Sequence, residues 1–256
     1  MSAPRLVAFD LDDTLAPSKS RIDPRIAELL VQLAQRVEVA IISGGQWGQF
    51  RAQVLKYLDA TADVLARMHM MPTCGTQYYR HNGEAFEAVY AEHLDDDVKA
   101  HVIAVLEEEA RRLNLWEEHP AGDVIEDRGS QITFSALGQQ AAIDDKRAWD
   151  PTGQKRAALQ AAVAARLPEL EVRSGGSTSL DITRRGIDKA YGMRRLAAAT
   201  GISYEDTLFY GDRLDEGGND YPVLSLGIPA VAVDGWEQTA ELLEGLIPTL
   251  PAPAGA

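Results

Sequence analysis

The stretch Leu6-Val7-Ala8-Phe9-Asp10-Leu11-Asp12-Asp13-Thr14-Leu15 decides how the chain is read. Four apolar residues form a buried-type strand and run straight into carboxylates. Such a cluster is out of place in a core and suited to a site. Strand side chains alternate faces, so Asp10 and Asp12 project toward the same pocket. Three acids within four residues repel one another unless a cation or a proton lies among them. An acidic Asx-type turn at a strand end is the bland alternative, and the rest of the chain has to decide between the two.

Working outward, the 256 residues are 45% hydrophobic, enough to bury a sizeable core in one large or two modest domains. The one cysteine, Cys74, excludes an internal disulfide and fits a reducing compartment. Set between Thr73 and Gly75, it reads as a buried or half-buried thiol rather than a nucleophile. No charged-then-apolar leader opens the chain and no apolar run is long enough to span a bilayer. A soluble cytoplasmic protein without a membrane partner is expected. A net charge of −14 argues against a nucleic-acid partner. It also means that an anionic substrate would need a local positive island. Residues 251–256 read as a flexible tail.

The first third alternates strand and helix. Leu6–Phe9 and Val37–Ile42 read as buried strands of a parallel sheet, and 63–66 as a weaker third strand. Residues 24–35 form a helix with Asp23 as N-cap and Pro24 at its first position, and 46–57 form another. His81-Asn82-Gly83 marks a hairpin. The middle changes character: a helix over 95–113, strands at 124–127 and 131–135, a helix over 151–167, and strands at 171–174 and 177–183. Alternation then returns with a helix over 188–200 closed by Gly201, strands at 207–210 and 230–233, and a last helix over 236–245. An α+β module is thus inserted into an α/β core. The boundaries fall at 1–83 and 186–256 for the core and 84–185 for the insertion.

Four signals lie at the carboxyl ends of predicted strands or at helix starts, where open α/β sheets bind ligands. They are Asp10 with Asp12, Ser43-Gly44, Lys189 after Asp188, and Gly211-Asp212-Arg213-Leu214-Asp215-Glu216-Gly217-Gly218-Asn219-Asp220. Ser43 and the amides beside Gly44 can cradle a phosphoryl oxygen, although Ser-Gly-Gly alone is more often a plain turn. A lone lysine at a helix start is usually solvated. The acidic, glycine-bearing loop suits a hard cation with oxygen ligands.

In this order and spacing, the four signals resemble the motifs of the haloacid dehalogenase (HAD) superfamily, and the likeness covers nearly the whole chain. The insertion between the second and third motifs resembles a type IIB cap on a Rossmann-like core. Within that group the chain is most similar to the eukaryotic-type phosphomannomutases. The likeness rests on 211–220, on Ser174-Gly175-Gly176-Ser177-Thr178-Ser179-Leu180-Asp181 and on Ile125-Glu126-Asp127-Arg128-Gly129. The resemblance implies that Asp10 attacks phosphorus and carries an aspartyl phosphate, and that Asp12 is the general acid and base. Ser43 and Lys189 would hold the phosphoryl oxygens. Mg²⁺ would bind Asp10, the main-chain carbonyl of Asp12, and Asp212, with Asp220 in support. It also implies a homodimer formed through the cap.

By the same resemblance Lys19, Gly44, Arg128, Lys146, Ser179 and Asp181 contact the substrate. Here the chain departs from the family. Lys19 stands where the mutases carry an arginine, Gln139 replaces another, and Lys146 or Arg147 falls near a third. Lysine lacks the bidentate fork of arginine. Arg173, Arg184 and Arg185 either make up the loss or are solvated surface. A mutase must grip either phosphate of a bisphosphate, so a thinner cationic set favours hydrolysis. The expectation is therefore a Mg²⁺-dependent phosphohydrolase of a small phosphorylated sugar or metabolite. The alternative is a phosphomannomutase interconverting mannose 6-phosphate and mannose 1-phosphate.

Overall fold

The computed structural model describes residues 3–252; the predicted tail lies largely outside the described residues. Two compact units emerge, one of residues 1–91 and 188–256, the other of 92–187. The first contains β1 (Leu6–Phe9), α1 (Pro24–Ala34), β2 (Glu38–Ile42), α2 (Trp47–Gln53), α3 (Ala62–Leu65), β3 (Met68–Met71), β4 (Gln77–His81) and β5 (Phe86–Ala91). The second contains α4 (Asp96–Arg112), β6 (Ile125–Asp127), β7 (Gln131–Ser135), α5 (Ile143–Trp149), α6 (Gln154–Arg166), β8 (Leu170–Ser174) and β9 (Ser179–Arg184). The chain then returns to the first unit with α7 (Lys189–Thr200), β10 (Thr207–Gly211), α8 (Tyr221–Leu224), β11 (Ala230–Ala232) and α9 (Trp236–Leu246).

The first unit is built on one seven-stranded sheet, ordered β11-β10-β1-β2-β3-β4-β5. From β11 to β3 neighbouring strands run parallel, while β4 and β5 are antiparallel additions. All four residues of β1 are buried, as a strand covered on both faces requires. The chain leaves β1 toward β2 on one side and returns as β10 on the other. β1 therefore sits at the switch point of the sheet, where a crevice opens beyond the strand ends. Local chemistry sets the helix starts: Asp23 accepts from the Arg25 amide at 2.9 Å, and Pro24 occupies the first turn of α1.

The second unit is an antiparallel sheet ordered β6-β7-β9-β8. Alternation gives it one apolar face, with Ile132, Phe134, Leu180, Ile182 and Val172 clustered with Val102, Leu106, Leu159 and Val163 of α4 and α6. Glu126, Thr133, Asp181 and Arg173 form a cross-strand row on the other face.

Several expectations are corrected. Residues 63–66 lie in and just after the short helix α3, and the third strand is β3. His69 disguises that strand, yet it is buried and satisfied by the Tyr78 hydroxyl at 2.7 Å and Glu38 Oε2 at 2.9 Å. The helix expected over 46–57 ends at Gln53, and Leu55–Tyr57 is a separate 3-10 turn. The helix expected over 151–167 begins only at Gln154, because Gly153 takes φ +74°. Helix α5 before it went unread. The predicted hairpin forms β4 and β5, and both strands belong to the first unit's sheet, so the first junction lies at 91/92 rather than 83/84.

Candidate active site

Asp10 follows the last residue of β1, with its amide bonded to the Tyr210 carbonyl at 2.9 Å. That bond ties it to β10, whose end leads into Asp212 and the loop to Asp220. Asp10, Asp212 and Asp220 bring carboxylate oxygens within 4.8 Å of one another. Lys189, the first residue of α7, is buried among them. Its ammonium donates to Asp10 Oδ1 at 2.5 Å and also to Asp220 Oδ1.

Two close approaches fix this arrangement. Asp188 caps α7 through the Tyr191 amide at 2.8 Å, which sets where Lys189 begins. Three residues on, Gly192 lies against the loop after β3; a Cβ there would sit 2.7 Å from the Cys74 carbonyl oxygen. Gly211 likewise admits Asp220, whose Oδ2 would lie 2.5 Å from an added Cβ. Asp220 Oδ2 also accepts from the Arg213 amide at 3.1 Å, which closes the acidic loop upon itself.

Electrostatics follow from burial and sign. Burial, then the nearby charge of Asp220, raises Asp10 well above the usual carboxylate range, with Lys189 opposing. Burial and Asp220 also raise Asp212. Burial alone would lower Lys189, but Asp10 and Asp220 outweigh it and keep the ammonium charged. Asp10 and Asp220 thus share one ammonium, with Asp212 beside them.

The other predicted residues of this unit lie on neighbouring loops. Asp12 Oδ1 accepts from the Lys19 amide at 2.7 Å, and Oδ2 from Gln49 Nε2 at 2.9 Å. Ser43 is buried after β2, and its hydroxyl accepts from the Gly45 amide at 3.1 Å, which winds the loop around Gly44. Asp12 is thus held by Gln49 of α2 and stands outside the acidic trio.

In the second unit Arg128 Nε donates to Glu126 Oε2 at 2.7 Å. Asp181 Oδ1 accepts from Gln131 Nε2 at 2.9 Å and Thr133 Oγ1 at 2.7 Å. Ser179 lies two residues before Asp181 on β9 and shares its face. Lys146 Nζ donates to the Gln139 carbonyl at 2.9 Å.

A family model described as eukaryotic phosphomannomutase matches residues 26–243. The chain belongs to this family. Phosphomannomutase 1 of Homo sapiens is 24% identical over 226 residues, spanning 86% of this chain and 83% of its own. A probable phosphomannomutase of Caenorhabditis elegans is 23% identical over 259 residues, spanning 97% and 98%. Among solved structures, a haloacid dehalogenase-like hydrolase from Bacteroides thetaiotaomicron aligns with TM-score 0.62 at 17% identity, over 95% of this chain and 99% of its own. Plasmodium falciparum IMP-nucleotidase aligns with TM-score 0.69 at 15% identity, over 97% and 69%. The fold is that of the HAD superfamily, and this phosphomannomutase-family chain is a HAD-type enzyme.

The donor set here fits a hard divalent cation such as Mg²⁺. Three hard oxygen donors converge, and one ammonium leaves two negative charges for a divalent cation to offset. Sequence reasoning missed two parts of this candidate site. Asp220 bonds Lys189 directly, although it was expected only in support. Gln49 went unread because a lone glutamine in a helix's first turn carries no motif. Its one signal is spacing, since it falls one turn after Ser43-Gly44-Gly45.

Proposed function

We propose that the chain is a phosphomannomutase-type phosphoryl transferase that moves phosphate between the 6- and 1-positions of mannose phosphate. The family match across 26–243 carries this reading, because it spans both units rather than the core motifs alone. Asp10, at the end of β1 and beside a buried ammonium, is the nucleophile. Its carboxylate oxygen forms a bond to phosphorus as the bond to the sugar oxygen breaks. Asp12, oriented by Gln49, gives that oxygen its proton and later takes one from the incoming hydroxyl. Lys189 and Ser43 hold the phosphoryl oxygens and offset their charge. Asp10, Asp212 and the Asp12 carbonyl would hold Mg²⁺, with Asp220 behind them. The ion supplies polarisation of the phosphoryl group and relief of carboxylate repulsion.

A second reading is hydrolysis, with water in place of the second hydroxyl. Lys19, Gln139 and Lys146 favour it, since each stands where the mutases carry, or carry nearby, an arginine. One assay separates the two. Purified protein is given mannose 1-phosphate and a catalytic amount of a hexose bisphosphate in Mg²⁺, and both mannose 6-phosphate and inorganic phosphate are followed. Activator-dependent mannose 6-phosphate is expected, and EDTA should abolish it. Phosphate release without isomerisation would overturn the mutase in favour of the hydrolase. Activity that survives EDTA would remove the metal from the scheme.

A further inference from the structure

The first unit's sheet has another end that the reaction does not use. Strands β1, β2 and β3 lie side by side in parallel. Each is preceded by an arginine: Arg5 directly before Leu6, Arg36 two residues before Glu38, and Arg67 directly before Met68. Arg80 of β4 pairs across from His69 of β3. Strand pairing thus gathers four arginines at the amino-terminal edge of the sheet, the opposite end of β1 from Asp10. With Glu38 and His69 they line one cavity of about 400 Å³.

How these guanidiniums are bonded marks the site. Arg36 donates to the Leu250 and Pro251 carbonyls at 3.3 and 3.1 Å. Arg67 donates to the Gln35 carbonyl at 3.1 Å, and Arg80 to the Ala66 carbonyl. All three are half-buried, and among the described residues none makes an ion pair with a carboxylate within 4.0 Å. The Nε of Arg80 is buried with no hydrogen-bond partner. Arg5 reaches Asp206 only at 3.9 Å. The single lining carboxylate, Glu38, is engaged by His69 at 2.9 Å. In a chain of net charge −14, this is a positive island held in place by neutral carbonyls. Those bonds orient the guanidiniums without offsetting their charge. Planar forks that are fixed and partly desolvated match phosphate oxygens.

We propose that this cavity binds a small phosphate-bearing anion, a phosphate ester or polyphosphate, at a site separate from the Asp10 cluster. Inorganic pyrophosphate is the probe, titrated calorimetrically into the full chain in metal-free buffer. Without a cation the carboxylates of the Asp10 cluster repel such a ligand. Saturable binding with Kd below about 1 mM is expected, weakening as salt is raised. The double variant Arg67→Gln/Arg80→Gln should bind at least about tenfold more weakly, since it loses two charge-assisted contacts. Asp10→Asn should bind as wild type does. If the double variant fails to fold, Arg5→Ala, whose side chain is 64% exposed, should still show about a threefold loss. No saturable heat into the millimolar range would overturn the proposal. So would wild-type affinity in the arginine variants, or a change in Asp10→Asn as large as theirs.

Discussion

Lys189 shows how one residue acquires meaning from its neighbours. In the sequence it is an ordinary lysine at a helix start. In the fold it is buried and donates to Asp10 and Asp220, which keep its charge against the cost of desolvation. Asp10→Asn tests the nucleophile within this cluster. The amide keeps the size and removes the attacking oxygen, so turnover should fall by at least about a thousandfold. The fold should persist, because one fewer buried carboxylate competes for the ammonium. Circular dichroism and a melting temperature no lower than wild type would show this. Activity within about tenfold of wild type would exclude an aspartyl phosphate at Asp10. The residues legible beforehand were those whose types are costly without a function, such as acids at the end of a buried strand. Gln49 was not legible, because its position against Asp12 depends on how α2 leaves the Ser43 loop.

Elements were legible where the sequence carried punctuation. Asp23-Pro24 and Asp188 marked the starts of α1 and α7, and Gly201 marked the end of α7 with φ +67°. Runs without punctuation misled. Asp63-Val64-Leu65-Ala66 is short and apolar, a pattern that fits strand and helix turn alike. The strand beside it, Met68–Met71, holds a histidine whose partners come from β2 and β4, and such tertiary pairing leaves no local trace. Two element-scale outcomes follow from packing and capping. Gly192→Ala would ordinarily favour a helix. Here the methyl meets the Cys74 carbonyl and Ile42, so α7 must shift and carry Lys189 with it. We expect a loss of about 1–3 kcal/mol in urea unfolding together with lost turnover. A stability equal to or above wild type would show that α7 can yield there freely.

The second concerns Asp150, which accepts from the amides of Lys155 and Arg156 at 3.1 and 3.0 Å and from Arg156 Nε at 3.1 Å. Burial acts to raise this carboxyl, yet these donors outweigh it and hold it below the usual aspartate value. A depressed folded-state pKa stabilises at neutral pH, and the gain is lost as pH falls through that pKa. Asp150→Asn should therefore cost about 1 kcal/mol at pH 7, and less as the medium becomes acidic. A cost that stays constant down to pH 3 would assign the effect to shape rather than charge.

At the scale of the whole molecule, two bodies of sequence information pointed different ways. Three positions, Lys19, Gln139 and Lys146, argued for water as the acceptor. The family match across 26–243 argues for a sugar hydroxyl. The latter draws on both units, while the former rests on side chains that an enzyme can replace one at a time. The chemistry also divides by unit. In the proposed scheme every group that touches phosphorus belongs to the first unit, and the proposal gives substrate selection to residues of the second. Restoring guanidiniums in the second unit should then change the partition of products and leave the chemistry intact. Lys146 bonds the Gln139 carbonyl, so the two positions are best changed together as Gln139→Arg/Lys146→Arg. A bidentate, charge-assisted pair to a distal phosphate is worth about 1.5–3 kcal/mol. If half of that is realised, the ratio of mannose 6-phosphate formed to phosphate released should rise by about three- to tenfold. Release of phosphate from a minimal aryl phosphate should stay as in wild type, because that substrate has no distal group to grip. An unchanged ratio would mean that these two positions do not read the distal phosphate. A parallel loss on both substrates would mean that the new side chains disturb the second unit's fold instead of its selectivity.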